Sequence, residues 1–90
     1  MGDVINMKPW RWGDMEMPER MRASLLRYVN DRVMPGGFLM SVLCNNLLAA
    51  VQMADDQNIK IITVYVQWLV LNAPPECWGS IQNVDRWLSQ

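Results

Sequence analysis

The sequence predicts an all-α protein, a compact bundle of four helices that associates with itself. Its 90 residues make one domain. A composition of 51% hydrophobic and 19% charged residues is typical of globular proteins. Apolar residues recur with the 3.6-residue period of helices through most of the chain. The predicted helices span about 18–33, 38–55, 59–73 and 80–89, in a domain of residues 17–90 that follows an irregular extension of residues 1–16.

The N-terminal extension carries a proline and a glycine and shows neither a helical nor a strand period. Within it, Trp10 and Trp12 flank Arg11. These indoles can pack on the body of the domain, cover a partner's groove or stack on bases. We favour packing on the domain.

The first helix is predicted from Pro18 and Glu19, because proline is tolerated in a first turn and an acidic residue suits the positive end of the helix dipole. An apolar stripe follows at helical spacing. It comprises Met21, Leu25, Tyr28 and Val29. The helix is expected to end near Val33, since Pro35 and two glycines follow.

The second predicted helix, 38–55, is apolar on nearly all its sides. Besides its main apolar face, residues such as Met40, Cys44, Leu48 and Met53 lie on the others. A chain of this size cannot easily surround one of its own helices. The pattern therefore predicts a subunit interface, and with it a homo-oligomer.

The third segment, 59–73, is rich in β-branched residues, which favour strands. However, Lys60, Thr63 and Gln67 fall at i, i+3 and i+7, the spacing of a polar stripe on a helix. No other segment offers a partner strand for its backbone hydrogen bonds. We therefore predict a helix, too short to span a bilayer. Residues 74–75, both proline, end it.

The fourth helix is predicted to begin at Ser80, whose hydroxyl can accept a hydrogen bond from the amide near Asn83. Residues at helical spacing then form its apolar face. They are Ile81, Val84, Trp87 and Leu88.

The composition weakens several classes of function. Histidine is absent, so the commonest general base and the usual nucleophile pairs cannot be built. A metal or carboxylate site on Asp55, Asp56 and Asp85 is conceivable, but solvation is the simpler explanation, and we expect no metal or cofactor. Cys44 and Cys77 are expected to be reduced core residues rather than a disulfide, in a cytoplasmic protein without a secretory leader.

Charge argues against nucleic acid as the partner. The net charge is −1. Six of the eight basic residues lie within positions 1–32, but five acidic residues share that stretch, an excess of 6 − 5 = 1. Proteins that wrap nucleic acid usually show a clear basic excess. Individual arginines remain available for specific anion contacts.

The candidate ligand-binding residues surround a glycine pair and an asparagine pair. Gly36 and Gly37, leading into Phe38, predict either a simple turn or exposed amides that cradle a phosphate. Asn45 and Asn46 fall inside the apolar second helix, where they either cap a neighbouring turn or bind the polar edge of a ligand or of a facing subunit. The remaining candidates neutralise the charge of the ligand or stack on it. They are Arg20, Arg22 and Arg27 for charge, and Tyr28 and Trp78 for stacking. The alternative for Trp78 is a packing role, in which its indole plugs the end of the bundle.

Several short stretches of the chain form a recognisable pattern. They are Pro18-Glu19-Arg20-Met21-Arg22, Leu25, Tyr28, Pro35-Gly36-Gly37-Phe38-Leu39, Val42-Leu43, Asn45, Leu47, Ala54-Asp55, Pro74 and Cys77-Trp78-Gly79-Ser80. This pattern resembles a family of small proteins encoded by tailed phages and prophages. The resemblance covers roughly residues 16–88 and omits the tryptophans of the extension. The family often has Asn-Asp at positions 45–46, where this chain has two asparagines. The resemblance implies an accessory protein that acts early in infection and counters host defence.

Three functions fit these observations. The first is a helical homo-oligomer that sequesters a small anionic host signal, such as a cyclic or ADP-ribose-type nucleotide. The second is an inhibitor that occludes a host defence enzyme through an apolar, tryptophan-rich surface. The third is a structural or regulatory phage protein. We expect the first.

Overall fold

The computed structural model describes residues 8–90 and confirms a mostly helical chain. Within that range six α-helices follow a two-stranded sheet. The strands are β1 (Arg11–Trp12) and β2 (Met15–Glu16). The helices are α1 (Glu19–Asp31), α2 (Gly37–Leu43), α3 (Leu47–Met53), α4 (Asp56–Lys60), α5 (Ile62–Asn72) and α6 (Ile81–Leu88), with a 3₁₀ turn at Pro75–Cys77 before α6. The four-helix prediction is wrong in count, because two predicted helices are each broken in two.

Residues 8–16 of the predicted extension form a small hairpin rather than an irregular tail. β1 and β2 pair antiparallel, and the turn between them uses a positive φ of 61° at Gly13. β1 packs against α5. Trp10 packs against the core as we favoured, whereas Trp12 stays 39% exposed. Positions 1–7 of the predicted extension lie outside the described residues.

The first helix matches its prediction. Leu25, Tyr28 and Val29 are buried on one face of α1. The helix ends at Arg32, which adopts a left-handed conformation with φ 57°. Its backbone N–H donates to the Tyr28 carbonyl and that of Val33 to the Arg27 carbonyl.

The predicted helix 38–55 is interrupted at residues 44–46, and the two asparagines cause the break. Asn45 has a φ of 60°, a conformation that asparagine tolerates better than most residues. The Asn46 side chain accepts a hydrogen bond of 3.1 Å from the Ala49 amide and so caps α3. The sequence pattern places both asparagines inside a helix, but in the structure both are exposed and lie between two helices. α2 and α3 fold back on each other as a helical hairpin.

The ambiguous third segment is helical, as predicted, but in two pieces. Asp55 caps α4 by accepting from the Asn58 amide at 2.7 Å. The chain leaves helical geometry at Ile61, where φ is −125°, and α5 continues to Asn72. Asn58 is buried because its side-chain oxygen accepts a 2.6 Å hydrogen bond from the Tyr65 hydroxyl. This bond joins the two pieces.

The core lies between α1, α2 and α5, and the C-terminal segment closes it. The Tyr28 hydroxyl donates to the Cys77 carbonyl at 2.6 Å, and the Trp87 indole donates to the Tyr28 carbonyl at 3.0 Å. Val84 of α6 is fully buried. The predicted cap of α6 is confirmed, since the Ser80 hydroxyl accepts from the Asn83 amide at 3.1 Å. Within residues 8–90, no helix has the length and apolarity needed to cross a membrane.

Candidate functional site

A shallow cleft opens where the corner between α2 and α3 meets α5. It has a volume of about 60 Å³ and is open to solvent. Its polar lining residues are Ser41, Asn45 and Asn46, and its apolar ones are Val42, Leu47, Ala50, Ile62 and Val66. Small-molecule sites commonly combine such an apolar lining with a few polar groups.

The cleft presents hydrogen-bonding groups without a formal charge. The left-handed backbone of Asn45 holds an exposed side chain that makes no hydrogen bond to the described part of the chain. In Asn46 the carboxamide oxygen is engaged by the Ala49 amide, which leaves the NH₂ group available. The Ser41 hydroxyl donates to the Gly37 carbonyl at 2.8 Å and can still accept.

Exposed apolar side chains lie on the two helices that meet at this cleft, and Leu47 and Val66 also line it. We call them the α3–α5 face, comprising Leu47, Leu48 and Val51 on α3 and Val66 and Val70 on α5. Leu47 and Leu48 are both 69% exposed and Val70 is 61% exposed. Positions 33–54 and 61–75 contain no charged residue. Exposed apolar surface of this kind is typical of interaction sites.

Arg20, one of the three arginines predicted to bind the ligand, is paired with residues of its own chain. Arg20 forms an ion pair with Asp55 at 3.1 Å and a hydrogen bond with Gln57 at 3.2 Å. The backbone amide of Asn58, with Arg20 beside the carboxylate, lowers the pKa of Asp55. Arg20 therefore fastens α1 to the start of α4.

Arg22 and Arg27 differ in their availability. Arg22 lies 3.4 Å from Glu19, and its side chain is only 17% exposed. Arg27 is exposed, and its guanidinium has no ion pair or hydrogen bond within residues 8–90. Of the three predicted arginines, Arg27 is the one free to meet an anion.

The two aromatic residues predicted on and after the first helix lie in the core. Tyr28 is fully buried, and burial raises the pKa of its hydroxyl. Phe38 packs edge-on against Tyr65, with ring centroids 5.3 Å apart. Neither ring offers a stacking surface in this conformation, so the ligand-stacking role predicted for Tyr28 needs correction.

Packing explains Gly37 of the glycine pair, whereas a side chain at Gly36 would meet open space. Neither Gly36 nor Gly37 has a positive φ, so the freedom of glycine in the left-handed region is not used here. A Cβ atom at Gly37 would instead overlap the terminal methyl of Met53. The α2 start is thus covered by a side chain from α3, at the opposite end of α2 from the cleft. This arrangement does not favour the phosphate cradle that the sequence suggested.

Trp78 belongs to a corner that docks on the end of α2. Its carbonyl accepts from the Asn83 side chain at 2.9 Å, and the Gly79 amide donates to the Leu43 carbonyl at 2.7 Å. Gly79 has a φ of 103°, which is strained for any other residue. Trp78 is half-buried and packs against the core, an arrangement that favours the reading as a plug over a stacking platform.

The two thiols are poorly suited to nucleophilic work at neutral pH. Burial raises the pKa of Cys77 to about 11 and also raises the pKa of Cys44. Within residues 8–90, no group of three or more histidine, cysteine, aspartate or glutamate side chains is placed to hold a metal ion.

The structure brings Asn45 and Asn46 together at the cleft and leaves the other predicted ligand residues elsewhere. The sequence reading missed Ser41, Ile62 and Val66. The long uncharged runs around them were the available signal. Comparison of the chain with family models, curated proteins and solved structures found no match.

Proposed function

We propose that this chain is a non-catalytic phage accessory protein that self-associates through the α3–α5 face and sequesters a small anionic, nucleotide-type ligand. By doing so it counters host defence in the cytoplasm of an infected bacterium. The observation that carries the proposal is the exposed, uncharged apolar surface of α3 and α5, the helices that line the cleft with Asn45 and Asn46.

Self-association is supported by the chemistry of the face. Exposed leucine and valine side chains stabilise an assembly by roughly 25 cal/mol for each Å² of apolar surface that they bury. Two copies of an uncharged face meet without repulsion between like charges, which a two-fold interface would otherwise bring together. A cleft beside exposed leucines also suits interdigitation of side chains between copies.

Ligand binding is supported by the available polar groups. Asn45 and the NH₂ group of Asn46 are donors that suit phosphate oxygens or the edge of a base. The cleft itself holds no cation, so one chain makes an incomplete anion site. In the proposed assembly Arg27 supplies the positive charge, because its guanidinium is exposed and unpaired within residues 8–90.

Mass measurement tests the assembly. We expect analytical ultracentrifugation to give a multiple of the 10.4 kDa chain mass that falls towards one chain on dilution. Leu48→Lys, which places a charge on the face, should yield a folded monomer. Arg86→Lys, on α6, is the matched control and should leave the mass unchanged. A wild-type monomer at every concentration would overturn the self-association.

A ligand panel tests the binding. Cyclic di- and trinucleotides and ADP-ribose should raise the melting temperature by several degrees in at least one case, because a ligand that binds only the folded state stabilises it. Arg27→Gln and Asn45→Gly should reduce that shift. Asn45→Gly is useful because glycine keeps the left-handed backbone while removing the amide. An unchanged melting temperature across the panel would overturn the ligand half alone.

An inhibitor of a host defence enzyme is the alternative, favoured by Trp12 at the hairpin, which is 39% exposed beside a turn. Tryptophan is enriched among the residues that dominate binding energy at interfaces. In that case Trp12→Ala would abolish capture of one host protein, while the ligand panel would give no shift. A structural or regulatory phage role predicts neither result.

A further inference from the structure

The α2–α3 hairpin has two ends of very different construction. At the closed end the chain turns through residues 44–46, where backbone hydrogen bonds fix it: the Asn45 amide donates to Val42 at 3.0 Å and the Asn46 amide to Ser41 at 2.9 Å. At the open end the last residue of α3, Met53, lies on the first residue of α2, Gly37.

The contact between Met53 and Gly37 is close. A Cβ at Gly37 would overlap the Met53 methyl and lie 3.8 Å from its sulfur and 4.0 Å from its Cγ. The whole end of the methionine side chain therefore covers the glycine. Even so, Met53 is 58% exposed. Within residues 8–90 it shares such exposure only with Met34, which is 66% exposed.

We propose that Met53 is an oxidation site and that its sulfoxide opens the free end of the α2–α3 hairpin. The oxidant is a peroxide. The sulfur lone pair attacks one oxygen of the peroxide, and an S–O bond forms as the O–O bond breaks. The departing hydroxide takes the proton from the transferred hydroxyl group and leaves as water. Sulfur loses two electrons and the peroxide gains them.

The sulfoxide disrupts the contact because it replaces an apolar thioether with a polar group that water solvates well. A hydrated sulfoxide does not remain on the apolar surface of Gly37. The two helices then lose this contact at the open end, while the turn at residues 44–46 stays closed.

Peroxide treatment of the wild-type protein and two variants tests this proposal. Met53→Leu keeps an apolar side chain over Gly37 but cannot be oxidised, and Met34→Leu is the matched control at the other exposed methionine. Mass spectrometry of peptides should find sulfoxide at Met34 and Met53 before buried Met17. After treatment, the melting temperatures of wild type and Met34→Leu should fall by about 4–8 °C, as expected when a domain of this size loses one such contact. Met53→Leu should keep its melting temperature.

Hydrogen exchange in the wild type alone gives a second measurement that needs no variant. Oxidation should speed exchange of α2 amides at least about tenfold while leaving α6 amides unchanged, because an open end exposes α2 first. The proposal is overturned if Met53 resists peroxide while Met34 reacts, if stoichiometric Met53 sulfoxide leaves α2 exchange unchanged, or if Met53→Leu loses as much stability as the wild type. These outcomes do not depend on self-association or on a ligand.

Discussion

The two sides of this molecule treat similar residues in opposite ways. On the α1–α6 side, Leu25, Tyr28 and Val84 are fully buried, and polar groups join the elements: Arg32 lies 4.0 Å above the Trp87 ring, whose indole donates to the Tyr28 carbonyl. On the α3–α5 face, apolar side chains remain in solvent and no charged residue accompanies them.

The difference follows from the distribution of apolar residues along each helix. In α1 they occupy one stripe, which the 3₁₀ turn and α6 cover, and charged residues take the outer side. In α3 and α5 they occupy more than one side, and within residues 8–90 no further element covers the second. The first side is complete within one chain, whereas the second has a driving force for association.

The largest expected effect comes from the same substitution made on each side. Leu25→Ala leaves a cavity in the core and should lower the free energy of unfolding by about 2–5 kcal/mol. Leu48→Ala, at a residue 69% exposed, should lower it by less than about 0.5 kcal/mol in dilute protein. Urea denaturation of both variants measures the two values.

The dependence of the melting temperature on protein concentration distinguishes these two variants further. If the α3–α5 face joins copies, Leu48→Ala should remove the concentration dependence of the wild-type melting temperature, and Leu25→Ala should retain it. Equal losses of stability in both variants at low concentration would contradict the division into a covered side, the α1–α6 side, and an open side, the α3–α5 face.

The covered side is the part that the sequence predicts well. One apolar residue every three or four positions predicts α1, and Ser80 marks the start of α6 through its hydroxyl. These signals are local, because a stripe and a cap depend on residues within one or two turns. The apolar residues on nearly all sides of the predicted helix 38–55 likewise indicated a surface that the chain does not fully cover.

The helix breaks and the cleft depend on information that such patterns do not carry. An asparagine pair within an apolar run fits a buried polar group as well as a left-handed turn followed by a cap, and only the fold chooses the latter for Asn45 and Asn46. The function of Gly37 depends on Met53, which is distant in sequence. Tyr28 was a predicted ligand-stacking residue, but its ring is buried and its hydroxyl donates to the Cys77 carbonyl.

Alkaline pH should weaken the covered side next. Burial raises the pKa of Cys77 from 9.0 to about 11, so the folded state holds this proton more tightly than the unfolded state. Its contribution to stability is complete below pH 9 and is lost as the pH rises through 11. The free energy of unfolding should fall by about 2 kcal/mol over that interval. Urea denaturation at intervals from pH 7 to 11 measures it.

Other buried groups act in the same direction, since burial also raises the pKa of Cys44, Tyr28 and Tyr65. Cys77→Ala isolates one of them. The variant is less stable at pH 7, but its loss between pH 9 and 10 should be smaller than that of the wild type. A wild-type stability that stays constant up to pH 11 would contradict the prediction.

The smallest expected effect separates the two asparagines at the edge of the open side. Asn46→Ala removes the cap of α3 and should lower the free energy of unfolding by about 1 kcal/mol. Asn45→Gly should change it by less than about 0.5 kcal/mol, because glycine relieves the left-handed backbone but gains freedom in the unfolded chain. Thermal denaturation of both variants, with Asn83→Ala as a variant on the covered side, provides the comparison. If Asn45→Gly destabilises as strongly as Asn46→Ala, the Asn45 side chain has a structural partner, and its place as a free donor in the cleft is lost.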